Sequence, residues 1–162
     1  LVRLLIEYGN EVLADGRMVS TWIAEELEPF PLDNQDMIQL VKTYFEWQVA
    51  GKIPNNKTLQ YHEDPQIQQL VMGLFEPEHE LSLRWNEKLG LKKALEEVTF
   101  QHQIEVSLLY YKLRKIKKMI RQNQEDMEKV HGEEQIQLLH IHKHLKDAER
   151  ELTKIIGTVI FK

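Results

Sequence analysis

The feature that most constrains this chain is a run of 41 residues, from Leu91 to His131, that contains no Gly and no Pro. Apolar residues recur through the run at alternating steps of three and four, which keeps one stripe of a helix facing a partner helix. The stripe consists of Leu95, Val98, Val106, Leu109, Leu113, Ile116, Ile120, Met127 and Val130. At about 1.5 Å per residue, one helix over the whole run would be roughly 60 Å long. The run therefore predicts a helix that is too long for the core of a small domain.

A second apolar stripe follows Gly132 and consists of Leu138, Ile141, Leu145, Ala148, Leu152, Ile155 and Val159. Because a Gly between two helical patterns indicates a chain reversal, the two stripes predict an antiparallel helical hairpin. The second arm is predicted over Glu133–Ile156, and pairing through Gly132 sets Leu145 beside Ile120. The first arm is longer, and its excess, Leu91 to about His102, is expected to pack on the preceding part of the chain.

The first half of the chain is divided by all five prolines, which lie between Pro29 and Pro77 and end helices there. We predict a helix over Leu1–Leu13, a second capped by Ser20, a third capped by Asp33 or Asn34, and a fourth that starts at Asp64-Pro65. No stretch alternates with the period of two that strands require. The predicted fold is therefore all-α: a bundle of short helices in residues 1–90, then a long helix and a C-terminal antiparallel helical hairpin in residues 91–162.

The composition excludes several classes of protein. Cysteine is absent, which excludes disulfides, thiolate zinc sites and thiol nucleophiles. No apolar run approaches the roughly 20 residues of a membrane helix, so we expect a cytoplasmic protein that makes no membrane contact. The chain begins with Leu inside a helical pattern, which indicates a piece of a longer protein.

Charge is distributed unevenly along the chain. Residues 1–91 carry 7 Lys/Arg against 15 Asp/Glu, whereas residues 92–162 carry 14 against 11, and the net charge is −5. This acidic balance argues against a general nucleic-acid binder.

A basic cluster on the predicted long helix has two interpretations. It consists of Lys112, Arg114, Lys115, Lys117, Lys118 and Arg121. The favoured interpretation is that these are the solvated flanks of the helix seam, since such positions are commonly charged. Contact with nucleic-acid phosphates is the alternative.

No motif for catalysis or metal binding is convincing. The chain has no Gly-rich phosphate loop and no nucleophile elbow. His140 and His144 share a helix face, but no third ligand is evident, so we interpret these and His142 as exposed. Glu76-x-x-His79 and Glu128-x-x-His131 have the spacing of di-iron bundles, but Pro77 and Gly132 interrupt the helix that the motif needs. We therefore expect no catalytic residue, cofactor or metal site in this chain.

Two groups of residues are candidates for contact with a partner protein. Near the predicted hairpin tip, Ile136 and Leu139 lie beside the seam, so the second arm is apolar on more than one side, and Lys143 follows them. Exposed apolar patches usually mark contact surfaces. The second group is at the tail and consists of Ile156, Ile160, Phe161 and Lys162. The hairpin register returns the tail Val159–Phe161 to the neighbourhood of Phe100 and Ile104, where burial is the favoured interpretation and contact with a partner is the alternative.

The whole pattern resembles the C-terminal, helicase-binding domain of the bacterial replicative DNA primase (DnaG-type). The resemblance covers essentially the entire chain and is carried by the stretches Leu1–Gly9, Val19–Leu27, Met37–Phe45, Gly51–Pro54 and Leu152–Ile160. These are short apolar helices and a terminal hairpin rather than a catalytic signature.

The resemblance implies a domain that recruits primase to the hexameric replicative helicase at the replication fork and modulates the helicase. It implies that RNA primer synthesis, a nucleotidyl transfer, is performed by other domains of the parent protein, which would use zinc and magnesium and contact the DNA template. This chain itself would be a monomer without enzymatic activity.

Two other assignments stay open at the level of sequence. The N-terminal domain of the replicative helicase has a similar bundle-and-hairpin plan. A helical scaffold that self-associates through the hairpin is the second alternative.

Overall fold

The structure is a computed structural model that describes residues 1–76 and 100–160, the last three by backbone alone. These residues form the helices α1 (Val2–Tyr8), α2 (Val19–Leu27), α3 (Gln35–Val49), α4 (Asn56–Leu59), α5 (Pro65–Phe75), α6 (Phe100–Met127) and α7 (Glu133–Ile160), and they contain no strand. The predicted all-α class is confirmed.

The chain divides into two compact units. We call Leu1–Ile104 the bundle unit and Glu105–Lys162 the hairpin unit. The predicted domain boundary between residues 90 and 91, and the predicted start of the long helix at Leu91, lie outside the described residues and stay predictions.

Local capping signals place two helices of the bundle unit where they were predicted. The Asn34 carboxamide oxygen accepts a hydrogen bond from the Met37 N–H at 3.0 Å and caps α3. The Asp64 carboxylate accepts from the Gln66 N–H at 2.8 Å, and Pro65 occupies the first position of α5. Pro fits there because the first turn of a helix leaves its N–H groups unpaired.

The first helix is shorter than predicted. It ends at Tyr8 rather than at Leu13. Asn10, just beyond its end, donates from Nδ2 to the Pro54 carbonyl at 2.7 Å, so this segment is held by a part of the chain 44 residues away. This long-range bond replaces the continuation of the helix that the local apolar pattern predicts.

Contrary to the prediction, Ser20 does not cap α2. Met18 is the N-cap residue, and its side chain makes no capping hydrogen bond. Ser20 is buried, and its hydroxyl accepts a hydrogen bond from Gln48 Nε2 at 3.1 Å. The residue therefore joins α2 to α3, because a buried hydroxyl needs a partner inside the protein.

Aliphatic side chains from all five short helices make the core of the bundle unit, together with one tyrosine and the first turn of α6. The fully buried members are Leu5, Ile6, Val19, Ile23, Leu40, Tyr44, Leu59, Ile67, Val71 and Ile104. At the start of α6, the ring of Phe100 stacks on that of Tyr8 with centroids 5.4 Å apart. The first turn of α6 thus packs in the bundle unit, as expected for the excess of the long arm.

The hairpin is antiparallel and has arms of equal described length. α6 and α7 each have 28 residues and are joined by the short loop 128–132. Gly132 has a φ of +74°, the left-handed conformation that glycine adopts without strain. α7 continues through Gly157 to Ile160, beyond its predicted end at Ile156, because a helix interior tolerates Gly at a cost of about 1 kcal/mol.

Candidate partner-binding surface

The seam of the first arm is the one predicted. Ile116 and Ile120 are buried, and the predicted positions Val106, Leu109, Leu113, Met127 and Val130 are half-buried. Leu95 and Val98 lie outside the described residues. The regular spacing of these residues was sufficient to identify the packed face of α6.

The seam of the second arm is rotated relative to the prediction. Leu138, Leu145 and Leu152 are half-buried as expected, but Ile141 and Ile155 remain 48% and 43% exposed. On α7 the neighbouring side chains His142 and Ile156 are the more buried ones at these places.

A polar pair interrupts the apolar seam of the hairpin. Asn123 is only 7% exposed, and its Oδ1 has no hydrogen-bond partner among the described residues. His142 Nδ1 is likewise buried without a partner, whereas His140 and His144 are exposed. The prediction of an exposed histidine is therefore wrong for His142. The predicted register, which sets Ile120 beside Leu145, would also set Asn123 beside His142.

Ile136, Leu139 and Lys143 form what we call the tip surface. Ile136 is 57% exposed and Leu139 is 59% exposed, and Lys143 is exposed beside them. Their spacing of three and four residues places all three on one face of α7, turned away from the seam residues. The expectation that the second arm is apolar on more than one side near the tip is confirmed, and the binding role of these residues stays a prediction.

Local interactions hold the chain at the tip. The Asp126 carboxylate accepts hydrogen bonds from Lys129 Nζ and from Gln122 Nε2, both at 3.1 Å. The Lys129 ammonium and then the Gln122 amide hold the pKa of the Asp126 carboxyl below its usual range. Beyond the loop, Glu133 and Glu134 occupy the first turn of α7, where the helix dipole favours negative charge. The loop that precedes the tip surface is therefore held by its own hydrogen bonds and charge interactions.

The predicted tail group consists of one buried residue and three residues whose side chains the structure does not describe. Ile156 is buried at 7% exposure and lies in the seam, and its role in binding a partner stays a prediction. Ile160 is the last residue of α7 and is described by its backbone only. Phe161 and Lys162 lie outside the described residues.

The described part of the chain contains an open groove and no cluster of metal-binding side chains. Within residues 1–76 and 100–160, no group of three His, Asp or Glu side chains could hold a metal ion. An open groove of about 460 Å³ in the bundle unit is lined by Gln60, Gln69, Met72, Gly73, Phe75 and Glu76. Glu76 supplies the single carboxylate among these lining residues. The described helices also include none long and apolar enough to cross a membrane.

Comparison with known proteins identifies a family. A family model described as Domain of unknown function (DUF8430) matches residues 1–159. Searches of curated proteins and of solved structures gave no match. The match includes the whole bundle unit and nearly all of the hairpin unit.

Proposed function

Because this chain belongs to the DUF8430 family, whose description names no activity, we propose its function from its surface and its resemblance to primase: it binds a hexameric replicative helicase through the tip surface. The observation that carries the proposal is the exposed pair Ile136 and Leu139 at the end of a helical hairpin. In a DnaG-type primase, the resembling domain recruits primase to the helicase at the replication fork.

The tip surface has the chemistry of a helix that docks in a partner's groove. A Leu or Ile side chain contributes about 1.5–3 kcal/mol when it passes from full exposure to full burial. Since Ile136 and Leu139 are already partly covered, each would contribute about 1–2 kcal/mol on docking. The charge of Lys143, at the edge of the pair, would mainly orient the partner and raise the association rate.

In this proposal the chain is a recruitment module and does no chemistry itself. Primer synthesis, the contact with the DNA template, and the zinc and magnesium that these need belong to other domains of the parent protein.

The proposal is tested by calorimetric titration of this chain into a purified replicative helicase from the same organism, at low and near-physiological salt. The chain should bind saturably, and Leu139→Asp should weaken binding at least about 10-fold, because a charge replaces a side chain that docks in an apolar groove. Gln137→Asp is the matched control: it adds the same charge at an exposed position on another side of α7 and should change affinity little.

Two results would contradict the proposal. If a helical Leu139→Asp variant binds as tightly as the unaltered chain, the tip surface is not part of the interface. A folded, unaltered chain that shows no binding to the helicase would overturn the recruitment function itself.

The same observation favours one other candidate function. Ile136, Leu139 and Ile141 are exposed on the tip half of α7, and an apolar helix surface of this kind also fits a second copy of the chain. The N-terminal domain of the replicative helicase, with its similar plan, remains the alternative assignment based on architecture.

A further inference from the structure

α6 carries a concentration of positive charge beyond what the solvated flanks of a helix seam usually show. Residues 106–124 contain six Lys/Arg and no Asp or Glu. The second arm differs, since its charges alternate in sign: Lys146 contacts Glu149 at 2.9 Å and Arg150 contacts Asp147 at 3.3 Å. Solvated helix flanks usually resemble the second arm, because opposite charges three or four residues apart stabilise a helix.

Three of these cations form what we call the basic stripe: Arg114, Lys117 and Arg121. They recur at steps of three and four on one face of α6, and all three are exposed. Within the described residues none of them has an ion pair, a hydrogen bond or a ring contact. Like charges at this spacing destabilise a helix by a few tenths of a kcal/mol per pair. A bound anion that neutralises the stripe would remove this repulsion.

An aromatic side chain extends the basic stripe by one turn. Tyr110 is 48% exposed and lies four residues before Arg114, on the same face of the helix. Single-stranded nucleic acids are bound by this combination, since cations follow the phosphate backbone and an aromatic ring stacks on an unpaired base.

The basic stripe lacks the exposed aliphatic side chains that a protein partner would bury. On the face from Tyr110 to Arg121 the exposed side chains are aromatic or charged, and Met119, the exposed aliphatic residue of this segment, lies on the other side of the helix. Protein interfaces depend on apolar anchors that become buried, such as the Ile136 and Leu139 pair of the tip surface. A polyphosphate needs no such anchor.

We propose that Tyr110 and the basic stripe bind single-stranded nucleic acid, with the three cations on consecutive phosphates and the tyrosine ring on one base. Arg114 and Arg121 are about 10.5 Å apart along the helix axis, which spans two to three phosphates of an extended strand. Neutralising three phosphates of a single strand predicts that log K falls by about 2 for a tenfold rise in salt. The net charge of −5 on the whole chain keeps the affinity low, so the binding is local and salt-sensitive.

The test is fluorescence anisotropy of a labelled oligo(dT) of about 20 nucleotides, a length that exceeds a single binding site, titrated with this chain across a salt series. The variant R114E/K117E/R121E should lose at least about 10-fold in affinity at low salt and lose most of the salt dependence. The control K57E/K129E/K154E makes the same change of total charge at other exposed positions and should weaken binding much less. Circular dichroism verifies that both variants stay helical. If R114E/K117E/R121E is not helical, R114Q/K117Q/R121Q replaces it.

Tyr110→Ser distinguishes a base contact from a purely electrostatic one. It should weaken the binding of oligo(dT) several-fold and leave the weaker binding of a duplex of equal length unchanged, because a duplex offers no unpaired base. The proposal is overturned if the control variant loses as much affinity as the stripe variant, or if duplex binds as tightly as single strand. It is also overturned if polyglutamate of equal charge displaces the oligonucleotide equally well, which would indicate an acidic protein partner. None of these measurements involves the helicase, so the outcome is independent of the recruitment function.

Discussion

Tyr44 shows how one residue can couple the bundle unit to pH. It is fully buried, and its hydroxyl has no hydrogen-bond partner among the described residues. The hydroxyl lies so close to Gly9 that a Cβ there would clash with it, which explains a glycine at the end of α1. Burial raises the pKa of Tyr44 to about 12, because the buried phenolate would lose its hydration.

This pKa predicts a loss of stability at high pH. The folded pKa lies above the ordinary value of about 10, so the contribution of Tyr44 is complete below pH 10 and is lost as the pH rises toward 12. At about pH 11 the free energy of unfolding should have fallen by about 1.4 kcal/mol through this residue alone. Urea denaturation at about pH 9 and about pH 11 measures the difference, and Tyr44→Phe should remove most of it.

The exposed Tyr61 provides the matched control, since Tyr61→Phe should leave the alkaline loss unchanged. Burial also raises the pKa of Tyr8, so a residual slope is expected in the Tyr44→Phe variant. If the Tyr44→Phe variant loses as much stability between these two pH values as the unaltered chain does, Tyr44 does not titrate in this range.

At the scale of the element, the polar pair in the hairpin seam opposes stability. A buried polar atom without a partner costs about 1–3 kcal/mol, and the seam holds two such atoms, Asn123 Oδ1 and His142 Nδ1. Polar residues at seam positions are known to fix the register of paired helices at a cost in stability. Asn123 and His142 are therefore expected to specify how α6 and α7 align.

Asn123→Leu should raise the free energy of unfolding of the hairpin by about 1–2 kcal/mol, since it removes a buried amide and extends the apolar stripe of Ile116 and Ile120. Urea unfolding followed by circular dichroism measures the change. Gln124→Leu, at the exposed neighbouring position, should have little effect. A less stable Asn123→Leu variant would show that the amide is hydrogen-bonded, for instance through a buried water.

At the scale of the whole molecule, the proposed recruitment function and the self-association alternative predict different masses. A recruitment module that keeps its apolar tip surface for another protein should be monomeric alone. Light scattering over a range of concentrations should therefore give the mass of one chain, 19.3 kDa. A mass that rises with concentration and returns to 19.3 kDa in Leu139→Asp would instead favour self-association through the tip surface.

The sequence by itself determined the features that depend on neighbours along the chain. The all-α class, the caps at Asn34 and Asp64, the reversal at Gly132 and the packed face of α6 follow from helix periodicity and from local backbone hydrogen bonds. The exposure of Ile136 and Leu139 also followed, because one narrow seam cannot cover residues on the opposite face of the same helix.

Only the tertiary structure decided which neighbour covers each remaining surface. The end of α1 depends on the bond from Asn10 to Pro54, and the place of Ser20 depends on Gln48, both distant in sequence. The rotation of α7 that buries Ile156 in place of Ile155 reflects how two whole helices pack. That Arg114, Lys117 and Arg121 have no partner among the described residues likewise depends on which side chains reach them. Contacts between segments that are far apart in the chain leave no recognisable pattern in the residues around any one position. The sequence alone therefore could not predict them.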